Sequence, residues 1–147
     1  MKFILYHGID EMSSSELYDI LKLRQDIFIV EQDCVYDDID GLDGASQHLL
    51  LKTGDELAAY SRIVPPMVKF DEISIGRIVV KMKFRGSGYG KKIVMESINR
   101  IAEIGHKAIR IEAQAHLVEF YENLGFNSAG ETYIVDGIPH LQMVRNL

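Results

Sequence analysis

The chain has 147 residues, 47% of them hydrophobic and 26% charged, which is the size and balance of one compact domain (1–147) with a single core. A net charge of -6 argues against nucleic acid as the main partner, because neutralising phosphates takes a surplus of Lys and Arg. Apolar runs such as Ile27–Val30 are too short to cross a bilayer, Met1–Tyr6 is too brief for a signal segment, and the lone Cys34 excludes an internal disulfide, a combination that fits a cytoplasmic protein with no membrane partner.

Lys2 to Tyr6 alternates weakly and predicts a short strand. Ser13 followed by Glu16 has the spacing of a capping box, and Leu17, Ile20, Leu21, Ile27 and Phe28 then share one face of a helix running to about Ile29. An acidic loop with Gly41 and Gly44 follows. Gln47–Lys52 and Glu56–Ile63 predict a hairpin around Gly54-Asp55, stopped by Pro65-Pro66. Asp71–Val80, rich in Ile and Val, predicts a buried strand; Met82–Ser87 is a loop, and Gly88–Ile104 a helix ended by Gly105. Ala108–Ala113 predicts a strand and Leu117–Leu124 a short helix. Two strands, near Asn127–Val135 and Ile138–Arg145, close the chain around the turn Asp136-Gly137. The order β-α-β-β-β-α-β-α-β-β predicts a mixed α/β fold with one parallel pair and several antiparallel hairpins.

Charge is divided between two poles. Glu31, Asp33, Asp37, Asp38, Asp40 and Asp43 lie in one stretch without Lys or Arg, whereas Arg77–Arg110 holds Arg77, Lys81, Lys83, Arg85, Lys91, Lys92, Arg100, Lys107 and Arg110 against Glu96 and Glu103. Either pole is a solvated face, or the basic one meets a polyanion and the acidic one a cation. The loop Arg85-Gly86-Ser87-Gly88-Tyr89-Gly90 leaves a buried strand and opens a helix, where free N–H groups and the helix dipole favour an anion. Its spacing is neither that of a dinucleotide fold nor that of a Walker A loop, and Ser87 lacks the flanking glycines of a hydrolase elbow.

Arg85, Gly88 and Gly90, placed after Ile75–Val80, resemble the acetyl-coenzyme A signature of the GNAT superfamily of N-acetyltransferases. Phe120-Tyr121-Glu122-Asn123-Leu124-Gly125-Phe126 resembles the second signature of that superfamily. Leu23-Arg24, Phe28–Gln32, Asp38–Gly41, Ala113–Leu117 and Asp136–His140 resemble its ElaA-like subgroup. The resemblance implies a mixed, mostly antiparallel central sheet flanked by helices. It implies an enzyme that moves an acetyl group from acetyl-coenzyme A to a primary amine, on a small molecule or a peptide, by direct attack in a ternary complex. Ile78, Val79 and Val80 would then pair with the pantetheine arm, Arg85 to Gly90 with Lys91 would hold the pyrophosphate, Gln114 would touch the cofactor arm, and Tyr121 would protonate the leaving thiolate. Lys81-Met82-Lys83 departs from the proline-containing approach usual in the family.

Such a transfer needs a neutral amine, so a base is required. Glu31, Glu112, His48, His116 and His140 are the candidates, and Glu31, Asp38, Asp40, His48 and His140 are the residues expected to meet the acceptor. A metal is not expected, since the His and Cys spacings make no ligand set and the acidic loop fails the EF-hand pattern at Tyr36 and Gln47. The alternative is a non-catalytic acyl-coenzyme A sensor that keeps the loop and lacks acceptor chemistry.

Overall fold

In a computed structural model describing residues 1–147, strand β1 (Lys2–Tyr6) leads to helix α1 (Ser14–Arg24). Ser13 caps the helix, its Oγ accepting the Glu16 N–H at 3.1 Å. The capping box is only half made: the Glu16 carboxylate accepts instead from the Tyr6 hydroxyl and from Lys52 Nζ, the latter at 3.0 Å, and so ties α1 to the sheet. The helix also outruns the expected end near Ile29. From Gln25 to Glu31 it continues as a wider π-helix, in which the Gln32 N–H reaches Ile27 O and the Cys34 N–H reaches Ile29 O, each at 3.1 Å. Such widening is frequent where a helix end serves a site.

Strands β2 (Gln47–Thr53), β3 (Glu56–Val64) and β4 (Ser74–Val80) join β1 in an antiparallel sheet of order β1-β2-β3-β4. After helix α2 (Tyr89–Ile104) comes a second antiparallel sheet, of β5 (Ala108–Gln114), β6 (Asn127–Ser128), β7 (Tyr133–Val135) and β8 (Ile138–Asn146), with α3 (Val118–Glu122) between β5 and β6. The single strand expected over Asn127–Val135 is therefore two pieces, parted by Gly130 at φ +114°. At the β7–β8 turn Asp136 and Gly137 both have positive φ, the geometry of a type I′ hairpin.

Three successive leucines in β2 are buried because helices cover both faces of the first sheet. Leu49 and Leu51 pack with Ile93, Val94 and Ile98 of α2, while Leu50 packs with Ile20 and Leu23 of α1 and with Tyr60. Each such side chain contributes about 1.5–3 kcal/mol of burial free energy.

The expected parallel pair is almost absent, and that opens the molecule. Ile73 and Ile109 form one parallel bridge, with the Arg110 N–H donating to Ile73 O at 3.1 Å, and beyond it β4 and β5 share no ladder. Strand β4 is bent as well. Its register against β3 slips between Tyr60↔Val79 and Arg62↔Gly76, so one extra residue bulges at Arg77–Ile78. Arg77 sits at φ +49°, a left-handed conformation that costs a non-glycine residue roughly 1–2 kcal/mol.

Candidate active site

A cavity of about 620 Å³ fills the space between the parted strands. Ile75 to Val80 line one side and Ile111, Glu112 and Gln114 the other, while the π-helix adds Ile27, Phe28 and Glu31 and α3 adds Phe120 and Tyr121. Of the residues expected to meet a cofactor, Ile78, Val79, Val80, Arg85, Gly90, Gln114 and Tyr121 are brought to this one space. Gly86, Ser87, Gly88, Tyr89 and Lys91 stand outside its lining.

The loop beyond the cavity is built from backbone. Gly86 and Gly88 have φ of +81° and +82°, and a Cβ on either would meet nothing within 4 Å. Glycine is required there for conformation, not for space within the protein. Gly88 caps α2 without any side-chain hydrogen bond, which leaves the first-turn N–H groups open to an anion. Tyr89 braces the loop from behind, packed edge-on against Phe84 at 5.5 Å. Arg85 reaches across the cavity mouth to Glu31, Nη1 to Oε1 2.8 Å.

Tyr121 is only 7% exposed and packs edge-to-face against Phe120 and Phe126. Burial alone raises its hydroxyl to about 12, and nothing in the protein bonds to it. It is thus a protonated donor facing the cavity throughout the neutral range.

The candidate bases separate clearly. His48 is a correction: it is 1% exposed, outside the cavity, and both ring nitrogens are taken, Nδ1 by the Tyr60 hydroxyl at 2.7 Å and Nε2 by Asp43 O at 2.9 Å. Burial also lowers its pKa, so it is a structural histidine. Glu31 is spent on Arg85. Glu112 lines the cavity, but its carboxylate accepts from the Tyr133 hydroxyl at 2.6 Å and from Lys69 at 3.4 Å; burial pushes it up, and these partners outweigh burial and leave it a weaker base than usual. His116 lines the cavity with an exposed side chain. His140 also lines it, and Nδ1 lies 2.7 Å from Ile138 O. A carbonyl only accepts, so Nδ1 carries the proton and Nε2 of the neutral ring keeps a free lone pair.

The acidic loop is not the free cationic-ligand surface its composition suggests. Arg24 Nε bonds Asp38 Oδ2 at 2.9 Å and Arg24 Nη1 bonds Asp43 Oδ1 at 2.7 Å, while Arg62 bonds Asp40 through both Nη atoms at 2.8 Å and Asp43 at 3.0 Å. Arg24 and Arg62 are 0% and 1% exposed. Asp38 is itself buried and outside the cavity lining, which corrects its expected place beside the acceptor; only Asp40 of that pair reaches the cavity. Burial pushes the Asp40 carboxyl up, but the Arg62 hydrogen bonds, the Leu42 N–H and the nearby Arg77 charge hold it far below the usual carboxylate range. Sequence reading missed Arg24 and Arg62. The available signal was an arginine set inside the apolar strand Leu57–Val64, a charge that burial obliges to find a carboxylate. No group of three or more His, Cys, Asp or Glu side chains stands close enough together to hold a metal, and no helix is long and apolar enough to cross a membrane.

Parted strands beside a backbone-lined anion loop suit an elongated ligand that is phosphorylated at one end and reactive at the other, and the class of protein so arranged is the acyl-coenzyme A-dependent N-acyltransferases. An acyl-CoA N-acyltransferase structure from Pseudomonas aeruginosa matches with a TM-score of 0.91 at 33% identity, over 98% of each chain. Residues 20–147 match the acetyltransferase (GNAT) domain, and the protein belongs to the GNAT acetyltransferase family, in its ElaA-like branch. The ElaA protein of Escherichia coli is 39% identical over 97% of this chain and 94% of its own, and the crystal structure of E. coli ElaA matches with a TM-score of 0.88. A UPF0039 protein of Synechocystis sp. is 41% identical over 95% of this chain and 92% of its own. The protein is an acyltransferase.

Proposed function

We propose that the protein transfers the acetyl group of acetyl-coenzyme A to a primary amine, with the amine attacking the thioester directly while both are bound. The observation that carries this reading is the meeting, in one cavity, of the free edge of Ile78–Val80 with the partnerless Tyr121 hydroxyl. Coenzyme A fits the residues present: Ile78, Val79 and Val80 of β4 would hold a strand-like arm, and the open N–H groups of the loop from Arg85 to Lys91 would hold its pyrophosphate. Gln114 is already engaged, its Nε2 donating to Gln32 Oε1 at 3.2 Å, and this pair borders the same arm. Bound there, the cofactor supplies an activated acyl group at the thioester carbonyl.

The chain's own residues do the rest. His140 Nε2 takes a proton from the acceptor's ammonium, directly or through water, so that the neutral amine can attack, and the Tyr121 hydroxyl gives one to the departing thiolate. Cationic acceptors are favoured by Asp37 and Asp136, which line the cavity and form no salt bridge of their own. The test is release of free thiol from acetyl-coenzyme A across a panel of primary amines. Steady-state rates converging as both substrates are varied would support a ternary complex, and cofactor binding with no thiol release on any amine would make the protein a sensor.

A further inference from the structure

The acidic loop meets the first sheet at the bulge of β4. Arg62, which holds Asp40 and Asp43, is the register partner of Gly76, and Arg77 is the bulged residue itself. Arg77 Nη2 donates to Asp38 O at 3.0 Å and to Asp40 Oδ2 at 3.2 Å. Its Nε lies 2.9 Å from Asp38 Oδ1, near enough for the charges to attract but off the line of a hydrogen bond, so that Nε is left without a bonded partner. Tyr36 completes the hold: its hydroxyl donates to Asp38 Oδ1 at 2.6 Å and its ring lies 5.5 Å from the Arg77 guanidinium. Arg24, from α1, grips the same Asp38 from the other side.

Three guanidinium groups from α1, β3 and β4 therefore close on three carboxylates of one loop, and the charges balance within the lattice. Such a lattice has little charge left to attract an acceptor. It does have something to hold in place. A left-handed φ at a non-glycine residue persists only where its surroundings over-determine it, and at Arg77 the constraint is that residue's own side chain, anchored in the loop.

Ile78, Val79 and Val80 follow directly in the chain. Resting on the coenzyme A reading of the cavity, we infer that Asp38, Asp40 and Arg77 are positioning residues: they pin the bulge in β4 and so aim the backbone groups of Ile78–Val80 at the pantetheine arm. The acidic loop acts on the cofactor through Arg77, on the opposite side of the reaction from the acceptor.

Titration calorimetry with two probes tests this. Coenzyme A spans the loop and the arm, whereas adenosine 3′,5′-bisphosphate carries the nucleotide end alone. Arg77→Gln should weaken coenzyme A by about tenfold and leave the bisphosphate within about twofold of wild type. Arg77→Gly, which removes the same anchor while tolerating positive φ, should show the same split, and circular dichroism establishes that each variant is folded. Should Arg77→Gln not fold, Arg77→Lys, which keeps the charge beside Asp38 and loses the fork, takes its place. Equal weakening of both probes, unchanged coenzyme A binding in a folded variant, or an effect confined to the acceptor KM would each overturn the inference. A wild-type protein that binds neither probe would overturn the coenzyme A reading first, and this inference with it.

Discussion

The loop from Arg85 to Gly90 and the longer stretch from Glu31 to Asp43 both carry charge and glycine, and they work in opposite ways. The first offers backbone N–H groups and keeps Gly86 and Gly88 at positive φ with open space around them. The second spends Asp38, Asp40 and Asp43 on the buried Arg24 and Arg62, which come from other elements of the fold. A site made of backbone is specified locally, whereas a run of acidic side chains acquires its meaning from partners that sequence order does not place.

The largest effect that would test this contrast is on stability. Arg62→Ala leaves Asp43 short of one partner and Asp40 short of its main one, and removing one member of a buried ion pair typically costs about 3–5 kcal/mol. Urea unfolding should show that loss, and a change near zero would return the acidic loop to the surface. The same pairing has a pH signature. Burial pushes the Asp43 carboxyl up and its two arginines bring it below the ordinary value, so its stabilisation is present above the ordinary carboxylate pKa and disappears as pH falls through the depressed one. Melting temperature should therefore fall less steeply on the acid side in Arg62→Ala than in wild type, and an acid limb of unchanged slope would show that the pairing is irrelevant.

Next in size is Tyr121→Phe, which keeps the packed ring and removes the donor. Turnover should fall by about a hundredfold with coenzyme A affinity nearly intact. Wild-type turnover would make the tyrosine a core residue only. Gly88→Val forces a β-branched side chain into φ +82°, and it should raise the KM for acetyl-coenzyme A by about tenfold while leaving the Arg62 lattice untouched. An unchanged KM in a folded variant would remove the loop from the site. The smallest effect is expected at Cys34, which lines the cavity with Sγ 3.3 Å from Asp136 O. Direct attack gives it no covalent role, so Cys34→Ser should stay within about twofold of wild-type turnover; abolished activity would favour an acyl-cysteine route.

Much of the fold was legible because its signals are local. β1 falls where alternation places it, Ser13 caps α1, and Gly105 ends α2 at φ +101°. The π-helix was not legible, since the apolar spacing of Ile27 and Phe28 suits an α-helix equally well. The bulge in β4 was hidden for a related reason: Ile75–Val80 reads as an unbroken buried strand, and only the pairing with β3 reveals the extra residue. Within the cavity, Tyr121 and Ile78–Val80 were found through their resemblance to a family. His48 was misplaced because one histidine in an apolar strand looks the same in sequence whether it faces a cleft or, as here, bonds Tyr60 inside the protein.

The single bridge at Ile73–Ile109 has a further consequence for solubility. An unpaired strand edge ordinarily invites strands from other molecules to add to it. The edge that β4 leaves free is turned inward, lining a cleft bounded by the π-helix, α3 and the second sheet, so a narrow ligand can lie along it while a neighbouring chain's strand is kept away.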